Sequence, residues 1–152
     1  MSYRVTKTYG HEQGLSAIFR QPNATTHCRE PHGYALGFKF VFECDELDEN
    51  GWVKDFGSLK PLKARLCTNF DHRLSLAKDD PALRDFLILY QKYGWQEPLA
   101  VERVGCESFA SMAWGWADEL ITPAERARGV RLVEVECREH GANGASYMGE
   151  GK

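Results

Sequence analysis

Gly33-Tyr34-Ala35-Leu36-Gly37-Phe38-Lys39-Phe40-Val41-Phe42-Glu43-Cys44 is the stretch that decides the fold. Tyr34, Leu36, Phe38, Phe40, Phe42 and Cys44 share one parity, and Ala35, Gly37, Lys39, Val41 and Glu43 share the other. Successive side chains of a strand point to opposite faces, so this alternation predicts a long strand with a thick aromatic layer on one side. Such a layer needs a cover, and three later segments have apolar residues at helical spacing. They are Gly57–Cys67 through Leu59, Leu62 and Leu66; Pro81–Tyr93, with its proline tolerated in the first turn; and Glu107–Leu120 through Phe109, Met112, Ala113, Trp116 and Leu120. Further strands are predicted at Leu15–Arg20, Val130–Cys137 and Ala145–Met148, with turns at Asp48–Gly51 and Gly141–Gly144. The order is strands, helices, then strands, without βαβ alternation. That order predicts an α+β fold, an antiparallel sheet with helices packed on one face. With no repeat or linker to divide it, 1–152 reads as a single domain, and the open sheet edges point to a homo-oligomer.

Composition narrows the function classes. The 152 residues are 43% hydrophobic and 27% charged, with 19 Lys and Arg against 22 Asp and Glu, a net charge of −3. That balance argues against nucleic acid, which needs a clustered positive excess. No apolar run approaches the ~20 residues of a membrane span, and Met1–Lys7 lacks the apolar core of a signal peptide, so the expected location is cytoplasmic. The cysteines, Cys28, Cys44, Cys67, Cys106 and Cys137, are odd in number and never spaced as CxxC. They read as free thiols, most of them small buried apolar side chains, and not as a disulfide framework.

Four places hold residues suited to chemistry. His27-Cys28-Arg29-Glu30-Pro31-His32 sets a thiol among imidazoles that can lower its pKa, or is simply a polar loop. Asp71-His72 pairs a carboxylate with an imidazole, the arrangement of a general acid/base, although neighbours in sequence need not touch. Glu107 opens an apolar helix, where the dipole alone would favour it. Glu136 sits in a β-branched strand, either on an outward face with Glu134 or in a cleft as an acceptor for paired donors. Trp114 and Trp116 cannot both face the core of one helix, so Trp114 is a candidate for a subunit interface.

In their order and spacing these residues resemble the 6-pyruvoyl-tetrahydropterin synthase and 6-carboxy-tetrahydropterin synthase family. The landmarks are Cys28 four residues before His32-Gly33, Asp55-Phe56-Gly57-Ser58-Leu59-Lys60, Phe70-Asp71-His72-Arg73-Leu74, Glu107, and Val135-Glu136. The resemblance implies a tunnelling fold whose subunits assemble into a barrel, commonly a hexamer. It implies that Cys28 abstracts a proton, that Asp71 and His72 are its relay partners, and that Glu107 and Glu136 bind the pterin, Glu136 along the amino-pyrimidine edge. The implied reaction is carbon–oxygen lyase chemistry on 7,8-dihydroneopterin triphosphate or a related dihydropterin. The alternative is a pterin- or purine-binding protein without catalysis. The family holds zinc with three histidines. Here Phe19 and Tyr34 stand at two of those positions and only His32 remains, so zinc would require His27 or His140 to join it.

Overall fold

The computed structural model describes residues 1–149. Its spine is β3 (His32–Cys44), the strand expected from the aromatic alternation, with Leu36, Phe38, Phe40, Phe42 and Cys44 all buried. On one side β3 pairs antiparallel with β2 (Leu15–Phe19), which sets Phe19 opposite His32. Farther along the same side lies β1 (Tyr3–Tyr9), with Tyr9 opposite Phe38. On the other side runs β6 (Arg131–His140), followed by β7 (Asn143–Met148), both antiparallel.

The sheet is mixed, which corrects the expectation of a wholly antiparallel one. β4 (Arg73–Ala77) lies parallel to β2, and β5 (Leu99–Val101) lies parallel to β4. The reason is topological: α1 (Lys60–Phe70) precedes β4, and α2 (Leu83–Tyr93) links β4 to β5, and a helix that carries the chain back across a sheet returns the next strand in the same direction. Two further helices, α3 (Cys106–Asp118) and α4 (Pro123–Ala127), lie between β5 and β6.

α1 and α3 cover the aromatic face. Phe70 of α1 stacks on Phe38 at 5.3 Å between centroids and meets Phe109 of α3 at 4.9 Å; Phe109 in turn stands edge-on to Phe19 at 5.3 Å. Each such ring taken wholly from water contributes roughly 1.5–3 kcal/mol. The buried stripe of α3 is Phe109, Ala110, Ala113 and Ala117, with Met112, Trp116 and Leu120 only partly buried. It is rotated from the expected stripe because alanines let the helix sit close to the sheet while the larger side chains pack at its flanks. Trp114 is covered within the chain by Tyr147 of β7, edge-on at 5.3 Å. α2 has no buried residue and leaves Ile88, Leu89 and Tyr93 exposed.

One buried ion pair fastens the segment before α1. The Lys54 ammonium, with a fully buried side chain, donates to both carboxylate oxygens of Glu125 and to the carbonyl of Leu120, each at 2.8 Å. Glu125 also closes a capping box with Thr122 at the start of α4.

Candidate active site

The beginning of β3, the ends of β2 and β6 and the beginning of α3 meet at one rim of the sheet. Antiparallel pairing sets Phe19 beside His32 and Arg138 beside Gly37, so the last residues of β6, Glu139 and His140, flank the first residues of β3. A 3₁₀ turn, His27–Arg29, carries Cys28 to the same rim. Gln21 holds it there: its backbone N–H donates to the Cys28 carbonyl at 2.8 Å, and its side-chain amide donates to the Val104 carbonyl at 2.9 Å, just ahead of α3.

Tyr34 lies at the centre of this rim. Its ring is 6.0 Å from Phe19, 5.4 Å from His32 and 5.8 Å from His140, and Phe19 and His32 are 5.3 Å apart. Burial, followed by the negative charges of Glu139, Cys28 and Cys106, raises the Tyr34 phenol above its ordinary pKa. Cys106, the first residue of α3, meets Cys137 of β6. The hydrogen bond from Cys137 holds the Cys106 thiol below its usual pKa, while that same bond and burial push Cys137 up. Glu107 stands in the first turn of α3, exposed, beside a cleft of about 470 Å³ that Arg103, Ser108, Ser111 and Tyr147 also line.

Cys28, His32 and Glu107 are therefore brought to one rim, and Glu136 and the Asp71-His72 pair are not. Glu136 has the opposite parity to the buried Val135 and Cys137. Its carboxylate lies 2.9 Å from Arg138 Nε and 3.8 Å from Lys39 Nζ, on the face away from the aromatic layer. The carboxylate of β6 that acts on Tyr34 and Cys106 at the rim is Glu139, which the sequence reading passed over. Its signal was the parity of Val135 and Cys137, which leads directly to Glu139 once the strand is allowed to run on to His140. A break in register between Arg138 and His140 falls at this residue, and such bulges re-aim side chains.

Asp71 and His72 follow α1 and do touch: His72 Nδ1–H donates to Asp71 Oδ1 at 2.7 Å, which leaves Nε2 free to take a proton. His72 holds a left-handed φ of 53°, fixed by its backbone N–H donating to the Ser16 carbonyl at 2.7 Å, while the Ser16 N–H donates to Asp71 at 3.2 Å. Ser16 lies three residues from Phe19, ~10 Å along the strand, and on its other face. The His72 side chain is 83% exposed. Within one chain the pair faces solvent, tied to Ser16 and not to the Phe19 end of β2.

The donors around His32 do not fit a zinc site. His32 itself is suitable, because Nδ1–H donates to the Glu30 carbonyl at 2.7 Å and leaves the Nε2 lone pair available. Phe19 offers only ring carbons, and a phenol kept protonated is a poor ligand. His140 Nδ1 accepts the Ala142 N–H at 3.1 Å, so in the neutral ring Nε2 carries the proton. His27 lies exposed on its 3₁₀ turn. Among the described residues no three His, Cys, Asp or Glu side chains converge as a metal-binding group.

Known proteins share this fold. The sequence pattern of the 6-pyruvoyl tetrahydropterin synthase family matches residues 9–150. A 6-carboxy-5,6,7,8-tetrahydropterin synthase from Aquifex aeolicus (strain VF5) is 24% identical over 162 residues, covering 99% of this chain and 100% of that one. Among solved structures, an uncharacterized protein from Wolinella succinogenes superposes with a TM-score of 0.81 at 20% identity, over 99% of both chains. The 6-pyruvoyl tetrahydropterin synthase of Plasmodium vivax does so with a TM-score of 0.67 at 14% identity, over 97% of both. At those identities the structures speak for the shared tunnelling fold alone, whereas the match over residues 9–150 speaks for descent. This chain belongs to the 6-pyruvoyl tetrahydropterin synthase family.

Proposed function

We propose that the protein is a tetrahydropterin-synthase-like lyase acting on 7,8-dihydroneopterin triphosphate or a related dihydropterin. The observation that carries this reading is the convergence of the Cys28 thiol and the Glu139 carboxylate on Tyr34, with Glu107 beside the neighbouring Cys106, each from a different element. The amino-pyrimidine edge of a pterin presents adjacent N–H donors, and a carboxylate accepts such a pair at once. Glu139 takes that role here in place of Glu136, whose carboxylate is engaged by Arg138 and Lys39. Glu107 supports binding from the start of α3.

In this reading the Cys28 thiolate removes a proton from a side-chain carbon of the pterin. The electron pair left behind expels triphosphate as the neighbouring carbon–oxygen bond breaks. The proton then passes to His72, held in the required tautomer by Asp71. Because the pair is tied to Ser16, three residues and ~10 Å along β2 from Phe19 at the rim, the relay is delivered by a second copy, so the active form is a homo-oligomer, a hexamer by family likeness. No step is assigned to a metal. The test is turnover of 7,8-dihydroneopterin triphosphate by the wild type and by Cys28→Ala. Equal rates would refute the thiol's role, and binding without turnover would reduce the protein to a pterin-binding one.

A further inference from the structure

Three ring positions surround a common point at the rim, and two of them no longer carry a nitrogen. The Phe19, His32 and Tyr34 rings form a triangle with sides of 5.3, 5.4 and 6.0 Å. Phe19 cannot swing out of it: the ring is 1% exposed and stands edge-on to Phe109 at 86°, inside the core that α3 closes. It presents C–H groups where an ion would need a lone pair. The third corner ends in a hydroxyl beside the rim that holds Cys28, Cys106 and Glu139.

We infer that Phe19 and Tyr34 have turned a metal position into a hydrogen-bonding one, in which Phe19 fills the ion's space and the Tyr34 hydroxyl donates to the side-chain oxygen of the ligand next to Cys28. The role of the hydroxyl rests on the pterin reading above, and the filling of the ion's space does not. The chemistry is consistent on both counts. An ordinary phenol, with a pKa of about 10, is protonated at physiological pH, so it serves as a donor and not as a ligand or a base. Tyr34 is also partly exposed, open to a ligand that Phe19, fully enclosed, cannot touch. A donor at this corner recognises a hydroxyl or carbonyl on the carbon chain attached to the ring, so it selects for the substituent and not for the pterin itself.

The two halves are tested separately. Wild type and Phe19→His/Tyr34→His are loaded with zinc, desalted and analysed for metal. The inference expects well under one zinc per chain for the wild type and close to one for the double variant. A stoichiometric zinc in the wild type overturns it, as does a folded double variant that takes up none. For the hydroxyl, neopterin and unsubstituted pterin are titrated against wild type and Tyr34→Phe. One hydrogen bond corresponds to about tenfold, so the wild type should prefer neopterin by about that factor. Tyr34→Phe should lose the preference while still binding unsubstituted pterin. A preference kept by Tyr34→Phe overturns the hydroxyl's role. If the wild type binds neither pterin, the functional reading fails and takes the hydroxyl's role with it, while the zinc measurement still decides whether these rings surround a former metal position.

Discussion

Glu139 and Glu136 sit three residues apart on one strand and face different worlds, so exchanging each for glutamine separates a binding carboxylate from a structural one. At Glu139 the substitution replaces an acceptor for two N–H donors by an amide that accepts one and turns its own N–H toward the other. Hydrogen bonds to a charged partner contribute about 1.5–3 kcal/mol, and the mismatch puts the loss in the upper part of that range, ~2–3 kcal/mol. That corresponds to a Kd about 30- to 150-fold weaker. At Glu136 the carboxylate, 21% exposed, is paired with Arg138 and Lys39. Losing such a partly solvated pair costs up to ~1 kcal/mol of stability, a fall of about 2–4 °C in Tm for a domain of this size, and leaves the Kd within about twofold of wild type. The assay is calorimetric or fluorescence titration of neopterin at pH 7, with a melting curve for each variant. The reasoning is refuted if Glu136→Gln weakens binding as much as Glu139→Gln does.

Other outcomes follow from the same geometry. Lys54→Met leaves the Glu125 carboxylate and the Leu120 carbonyl without their buried partner. The expected cost is about 3 kcal/mol, at the low end for a broken buried pair, and a Tm lower by about 6–12 °C, checked by calorimetry; an unchanged Tm would contradict the account. Burial pushes the Glu125 carboxyl up, but the Lys54 ammonium and the Thr122 N–H outweigh it and hold the pKa below the ordinary value of 4.5. The stability this supplies is fully present above pH 4.5 and is lost as pH falls through the lower, folded value. Melting curves from pH 6 to pH 3 should therefore fall in that acid window, and less steeply in Lys54→Met. His72→Asn keeps a residue that tolerates the left-handed backbone, so it should melt like wild type while losing turnover by at least about 100-fold, the usual scale of a proton-transfer group. Mixing and reassembling it with Cys28→Ala should recover part of the activity, since each variant supplies what the other lacks; no recovery would argue against a site shared between copies.

Much of this was legible in the residues because burial on one side imposes a period. β3 announces itself through six alternating residues from Tyr34 to Cys44, and α1 through Leu62, Leu66 and the residues opposite them. β4 and β5 were hidden because a short buried run such as Leu74-Ser75-Leu76-Ala77 has no alternation, both of its faces being covered. β1 alternates too, but with half-exposed Val5 and Lys7 in place of strong apolar residues, so its signal is weak. At the site, Cys28, His32 and Glu107 could be picked out by chemistry and spacing, whereas Glu139 depended on where β6 ends. That end is set by pairing with β7, a contact that no local pattern records. The distance of His72 from the rim is likewise set by pairing, its N–H reaching Ser16 and not the Phe19 end of β2.

The central claim is that Cys28 performs chemistry on a dihydropterin. Its most direct test is release of inorganic triphosphate from 7,8-dihydroneopterin triphosphate, followed with wild type and Cys28→Ala at equal concentration and with pterin binding measured alongside. The account predicts turnover by the wild type and a rate lower by at least about 100-fold in Cys28→Ala, with pterin affinity retained. Release at the same rate by both proteins, or none by a wild type that binds the pterin, would contradict it.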